Sequence, residues 1–233
     1  MERMVNLDLE KALPIVPIRE GSKGLPNKNI TPLAGKPLYL YSVEQALRLY
    51  GQCVISTDIP SVLDAQLPDN CLVIRRPDKL SQDTTPMDEV LFHIFEELRG
   101  KDITPKTCVL LQATSPLRSD NDVLKAVEFY NANSFELVKS VSEVDAGFLK
   151  YGSLNDKGEF IPVAKPEYCF TNRQDLPNMV RPNGAIYVFN ADTIVKNGGM
   201  ASQSIGAVLT DIPIDIDVHE DLLRAEKLIS GSK

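Results

Sequence analysis

No tryptophan occurs in the 233 residues, only two histidines do, and the four cysteines are scattered without a C-x-x-C pair. So few histidines and such cysteine spacing argue against zinc and against a redox pair. Cys53, Cys71 and Cys108 sit inside the apolar runs QCVIS, NCLVI and TCVLL, where a small buried hydrophobe accounts for them. No apolar run approaches the ~20 residues that a membrane span needs. Positive charge is also short, with 25 Lys and Arg against 32 Asp and Glu and a net charge of −7. That balance excludes a surface built to neutralise nucleic-acid phosphates. The opening MERMVNLDLEKALPIVP mixes charges into its apolar positions and shows neither an h-region nor a cleavage site, so a cytoplasmic chain without a membrane partner is expected.

What is present is alternation. Short continuous apolar runs at 13–17, 52–57, 71–75 and 107–112 read as strands buried on both faces. Between them lie helical patterns. Leu40, Val43, Leu47 and Tyr50 share one face, as do Val90, Leu91, Ile94, Phe95 and Leu98, and Ser119 or Asp120 caps a third helix carrying Val123, Leu124, Val127 and Tyr130. This order predicts an α/β, Rossmann-like fold, a mostly parallel sheet with helices on both faces, and ligands beyond the carboxyl ends of its strands. Past residue 135 the texture becomes hairpin-rich, with an Asn155-Asp156-Lys157-Gly158 turn. The expectation is a single domain over 1–233, its main body at about 13–135 and 181–230, with 136–180 an inserted, β-rich arm. No additional catalytic domain is expected. His93 reads as structural within a helix face, and His219 as a residue at a helix start.

The segment PIREGSKGLPNKN concentrates Arg19, Lys23 and Lys28 around two glycines. It is not a P-loop, because Gly21 and Gly24 are three apart and no Lys-Ser/Thr follows; nor is it G-x-G-x-x-G, and Pro26 interrupts a helix start. What remains is a flexible backbone able to turn N–H groups toward a ligand, beside a fork-shaped guanidinium. On charge alone, a solvated loop and a polyphosphate site both stay open. Further on, Asp215 and Asp217 alternate in IDID, so both carboxylates project to one face. Either a cation sits between them or they are the exposed side of an edge strand.

GSKGLPNKNITPLAGKPL, followed in order by STD, LQATSPLR, RPNGAIYVF and IDID, resembles the acylneuraminate cytidylyltransferase (CMP-sialic acid synthetase) family from about residue 13 to 228. The resemblance implies a nucleotidyltransferase that joins CTP to a nine-carbon α-keto acid sugar of the 3-deoxy-nonulosonic type, releasing pyrophosphate. It implies nucleotide contacts from Arg19, Ser22, Lys23, Lys28, Asn29 and Arg76. Arg19, Lys28 and Asp217 become the catalytic set, and Asp215 and Asp217 the ligands of Mg²⁺. Gln112, Lys150, Arg173, Arg181 and Asn183 fall at sugar-facing positions, with Arg118 ordering their loop. The general base stays open between a metal-polarised hydroxyl and Asp217. The family's protruding arm implies a homodimer. Four places differ from the family pattern. Ile18 and Glu20 replace small residues of the opening loop, and Ala113 stands for a proline. Met87 occupies a place where a hydroxyl often meets the cytosine, leaving Thr84 or Thr85 for that contact. DAGF replaces a His-Pro pair ahead of the arm lysine, which implies an altered sugar pocket. A CMP-Kdo synthetase, acting on an eight-carbon sugar, is the close alternative; a non-catalytic CMP-sugar or nucleotide sensor is the distant one.

Overall fold

A computed structural model describes residues 7–211 and 214–231. Its strands are β1 (Leu13–Pro17), β2 (Pro32–Leu33), β3 (Lys36–Pro37), β4 (Cys53–Thr57), β5 (Cys71–Arg75), β6 (Cys108–Leu111), β7 (Leu137–Val144), β8 (Gly152–Leu154), β9 (Phe160–Pro162), β10 (Met179–Phe189) and β11 (Ile205–Leu209). Its helices are α1 (Leu38–Tyr50), α2 (Pro60–Leu63), α3 (Met87–Arg99), α4 (Asp120–Ala132), α5 (Ala191–Asn197) and α6 (His219–Gly231).

Seven strands form the central sheet in the order β11-β7-β10-β6-β1-β4-β5, and β10 alone among them runs antiparallel to its neighbours. The parallel core follows from composition. Every residue of β1, β4 and β6 is buried, as strands covered on both faces require. One face packs Val16, Ile55, Val109 and Val188 against α1 and α4; the other packs Ile15, Val54 and Leu110 against α3. The helix faces are those the spacing predicts: α3 buries Val90, Leu91, Ile94, Phe95 and Leu98. Ser119 caps α4, its side chain accepting from the Asp122 N–H at 3.1 Å.

A third, smaller apolar cluster bears directly on function. Leu25 from the basic loop, Ile214 and Ile216 from IDID, and Leu222 and Ala225 from α6 pack together with Leu33 and Leu38. The two chemically loaded segments, distant in sequence, therefore share one piece of core.

The arm is shorter than the sequence texture suggests. Residues 137–144, placed with it by their hairpin-like pattern, are the central strand β7, hydrogen-bonded to both β10 and β11. Leu137, Val138 and Val141 are buried in the sheet, and burial of both faces overrides the alternating look. What leaves the body is 145–178, a string of 3₁₀ turns around the β8–β9 hairpin. Its tip is the anticipated turn: Asn155 Oδ1 accepts from the Lys157 and Glu159 N–H groups, and Gly158 adopts φ +77°. No helix of the described residues is long and apolar enough to cross a membrane.

Candidate active site

Each strand of the parallel half releases a polar segment at its carboxyl end. The basic loop follows β1, Asp58 follows β4, Arg76 follows β5, and Gln112–Arg118 follows β6. The site is therefore built at the edge that the topology predicts.

The basic loop is held by its own side chains. The Asn29 amide donates to the Arg19 carbonyl at 2.9 Å, and the Arg19 guanidinium donates to the carbonyls of Glu20 and Gly21 at 3.1 and 3.0 Å. The Glu20 N–H donates to Asp58 at 2.9 Å, while the Glu20 side chain stays exposed. Gly24 marks a close approach rather than a flexible turn: a Cβ there would lie 2.4 Å from the Asp217 carbonyl oxygen. Only glycine lets the basic loop and the IDID segment touch.

That contact brings Lys28 Nζ to 2.8 Å from the Asp217 carboxylate. Ile214 and Ile216 turn inward while Asp215 and Asp217 turn out, the alternation expected of an extended segment, although among the described residues it pairs with no strand. The Ile216 N–H donates to the Thr114 carbonyl at 2.8 Å, tying the segment to TSPLR. Asp221, in the first turn of α6, accepts from the Asp217 and Val218 N–H groups at 3.1 and 3.2 Å and fixes the far end.

A cavity of about 340 Å³ opens here, with Arg181, Asn183, Asp215, Asp217, Asp221 and Arg224 in its walls. The Asp215 carboxyl keeps an open face, yet the surrounding protein raises it above its usual range. A Thr114 hydrogen bond opposes that rise, the nearby Asp217 charge adds to it, and Lys28 again opposes it. A second hollow of about 450 Å³ lies on the other side of the basic loop, bounded by Arg19, Gly21, Asp58, Asp78, Gln82 and Asp83. Arg76 stands behind it, buried, donating to the Ser56 hydroxyl at 3.2 Å and the Ser56 carbonyl at 2.9 Å. Burial depresses this guanidinium to about 10, Asp58 opposing the shift and Arg19 adding to it.

The remaining expected residues stand in different settings. Arg118 is a scaffold, almost wholly buried, donating to Gln45, Ser42 and the carbonyls of Gln112 and Ala185. Asn183 lines the first cavity, beside Asp215 and Asp217, but Ser140, Ser142 and Thr210 already occupy its side-chain amide. It braces the irregular register of β10 between Pro182 and Tyr187. Met87 packs against the second core cluster at the start of α3, while Thr84 is exposed on the preceding loop. Lys150 and Arg173 lie on the arm and line neither hollow, and Arg173 pairs with Asp145 at 2.7 Å. Gln112 is half-buried behind β6, and Ser22 half-buried in the basic loop.

Three participants escape sequence reading: Asp83, which pairs with both Arg19 and Lys23, Asp221, and Arg224. Their local sequence is that of ordinary surface turns and a helix start, and only the fold brings them to the site.

The comparisons point to one family. A family model described as cytidylyltransferase matches residues 13–157. N-acylneuraminate cytidylyltransferase of Streptococcus agalactiae serotype III is 30% identical over 219 residues, 91% of this chain and 52% of that protein. The chain thus spans about half the length of that relative. CMP-N,N'-diacetyllegionaminic acid synthase of Legionella pneumophila is 29% identical over 94% of this chain and 96% of its own length. Pseudaminic acid cytidylyltransferase of Campylobacter jejuni is 26% identical over 91% and 93%. Among solved structures, a CMP:2-keto-3-deoxy-manno-octonic acid synthetase complexed with CTP superposes with TM-score 0.72 at 18% identity, covering 96% of this chain and all of that one. At that identity the likeness speaks for the fold.

Proposed function

The chain belongs to the cytidylyltransferase family, and from that premise we propose that it activates a 3-deoxy-nonulosonic acid with CTP, yielding a CMP-sugar and pyrophosphate. The observation that carries this reading is the meeting of Lys28, Asp217, Asp215 and Arg181 at one cavity, through the Gly24 approach. Cations from the basic loop suit a triphosphate, a pair of outward carboxylates suits a divalent ion, and Arg181 suits an acidic sugar.

The anomeric hydroxyl attacks the α-phosphate of CTP, the new P–O bond forms, and pyrophosphate leaves. Lys28, its side chain mostly buried, is the group placed to meet charge developing on the phosphates. Arg19 and Lys23 take the outer phosphates, and Arg76 backs the nucleotide pocket. Asp215 and Asp217 fit magnesium by their chemistry: two hard oxygen donors on one face, one carboxyl raised partly by the other's charge, a conflict that a cation relieves. Magnesium, when bound, supplies neutralisation of phosphate charge.

Lys150 and Arg173 reach neither hollow of their own chain, and the arm carries exposed Phe148, Leu154, Phe160, Val163 and Phe170. That surface supports a homodimer in which the arm meets a second copy. Asp145, the first residue of DAGF, pairs with Arg173, and that pairing supports a sugar pocket different from that of neuraminic acid enzymes. The reading includes a cytoplasmic setting, where CTP is available.

The test is pyrophosphate release with magnesium, offering each of the four nucleoside triphosphates with neuraminic, legionaminic, pseudaminic and Kdo acids. Release with CTP and one nonulosonic acid, abolished in Asp217→Asn and by a chelator, is expected. Release with Kdo alone would move the assignment to the eight-carbon sugar. Silence across the panel, with CTP still bound, would favour a sensor.

A further inference from the structure

Two cations of the basic loop are already occupied by a single anion. Asp83 offers one carboxylate oxygen to Arg19 and the other to Lys23, the latter at 3.1 Å. A quarter of the Asp83 side chain is accessible, whereas 81% of the lysine is. Arg19 and Lys23 together hold this carboxyl below the ordinary carboxylate range, the Lys23 hydrogen bond being the larger cause. Asp83 lies 64 residues from Arg19, on the turn between Ser81 and α3, where the Thr85 N–H donates to the Gln82 carbonyl and the Gln82 amide donates to the Asp78 carbonyl.

One anion bridging two cations through separate oxygens is the arrangement a phosphate group would make. A phosphate cannot join it there, because its oxygens would meet the Asp83 carboxylate with no cation between them. The existing pairs are solvent-facing and therefore weak, so a multiply charged ligand can displace them.

We propose that Asp83 is an internal stand-in for substrate phosphate. It holds Arg19 and Lys23 in place while the site is empty, and an incoming polyphosphate must expel it. Asp83 thereby sets nucleotide affinity and transmits triphosphate occupancy to the 81–86 turn. The idea rests on the cytidylyltransferase reading for its ligand, and it makes Asp83 a positioning residue, not a catalytic one. The physical consequence is a competition. The apparent affinity is the intrinsic affinity scaled by the fraction of molecules in which Asp83 has let go.

The experiment is calorimetric titration of the full chain, wild type and Asp83→Asn, in magnesium-free buffer with tripolyphosphate, CTP and cytidine. The variant should bind tripolyphosphate and CTP about fivefold more tightly, while cytidine binding stays unchanged. A merely structural role would weaken all three or none. Asp83→Ala should move in the same direction, and hydrogen exchange of the wild-type 81–86 turn should quicken when tripolyphosphate binds. Equal or weaker polyphosphate binding by both variants, or an 81–86 turn that exchanges no faster, overturns the proposal while leaving the proposed function standing. If wild type and variants bind no polyphosphate, with magnesium added as well as without it, both readings fall.

Discussion

Replacing Gly24 by alanine tests the architecture of the site at its tightest point. The added Cβ would sit 2.4 Å from the Asp217 carbonyl oxygen and 3.4 Å from its carbonyl carbon. Ordinary contact begins near 3.4 Å, and the obstacle is backbone, which no rotamer change removes. The basic loop and the IDID segment must therefore separate by about 1 Å, a misplacement that costs on the order of 100-fold in rate when it disturbs reacting groups. Lys28 and Asp217 straddle the point of contact, so kcat should fall by about that factor. The melting temperature should fall modestly, because the neighbouring Leu25 belongs to the small apolar cluster with Ile214 and Ile216. Gly21→Ala is the control. Its φ of +71° strains any side chain, by about 1 kcal/mol, yet nothing lies within 4 Å of the new methyl. It should raise KM for CTP modestly and spare kcat. Steady-state kinetics of both variants, with thermal unfolding alongside, decide the matter. A Gly24→Ala enzyme with kcat within twofold of wild type would refute the claim that this approach sets the geometry.

Asn183→Ala should behave as a stability variant. It leaves Ser140, Ser142 and Thr210 without their partner, costing about 2 kcal/mol in chemical denaturation, with a smaller effect on the KM for sugar. Asp120 has its carboxyl lowered chiefly by the Arg48 hydrogen bond, with Gln45 contributing, so its stabilisation is present above its unfolded value of about 3.9 and fades as pH falls through the lower folded one. Asp120→Asn should therefore cost about 0.5 kcal/mol at pH 7, discounted for its partial exposure, and the difference from wild type should shrink toward pH 3 in urea titrations. Phe170→Asp, at a side chain 91% exposed on the arm, should leave the chain monomeric in light scattering where wild type forms the dimer proposed above, without lowering the melting temperature of the body.

The α/β alternation was legible because its signals are local. Continuous apolar runs such as CVIST and CVLL cannot serve a sheet with a wet face, and the spacing of Val90 through Leu98 suits only a helix. Residues 137–144 misled for the same reason: LVKSVSEV alternates like a hairpin, and only its position between β10 and β11 buries it. The basic loop and the Asp pair were likewise visible as residue types.

What composition and period determined by themselves, then, was the layered fold, the edge where a ligand would bind, and the cations and carboxylates gathered for it. Tertiary structure decided which of them meet. Lys28 finds Asp217 across 189 residues, Asp83 claims Arg19 and Lys23, and the Asn183 amide bonds Ser140, Ser142 and Thr210. Secondary structure repeats every two or 3.6 residues and leaves its mark in the chain. An ion pair between distant loops has no period, and arises only where the apolar cluster beneath has already brought those loops together.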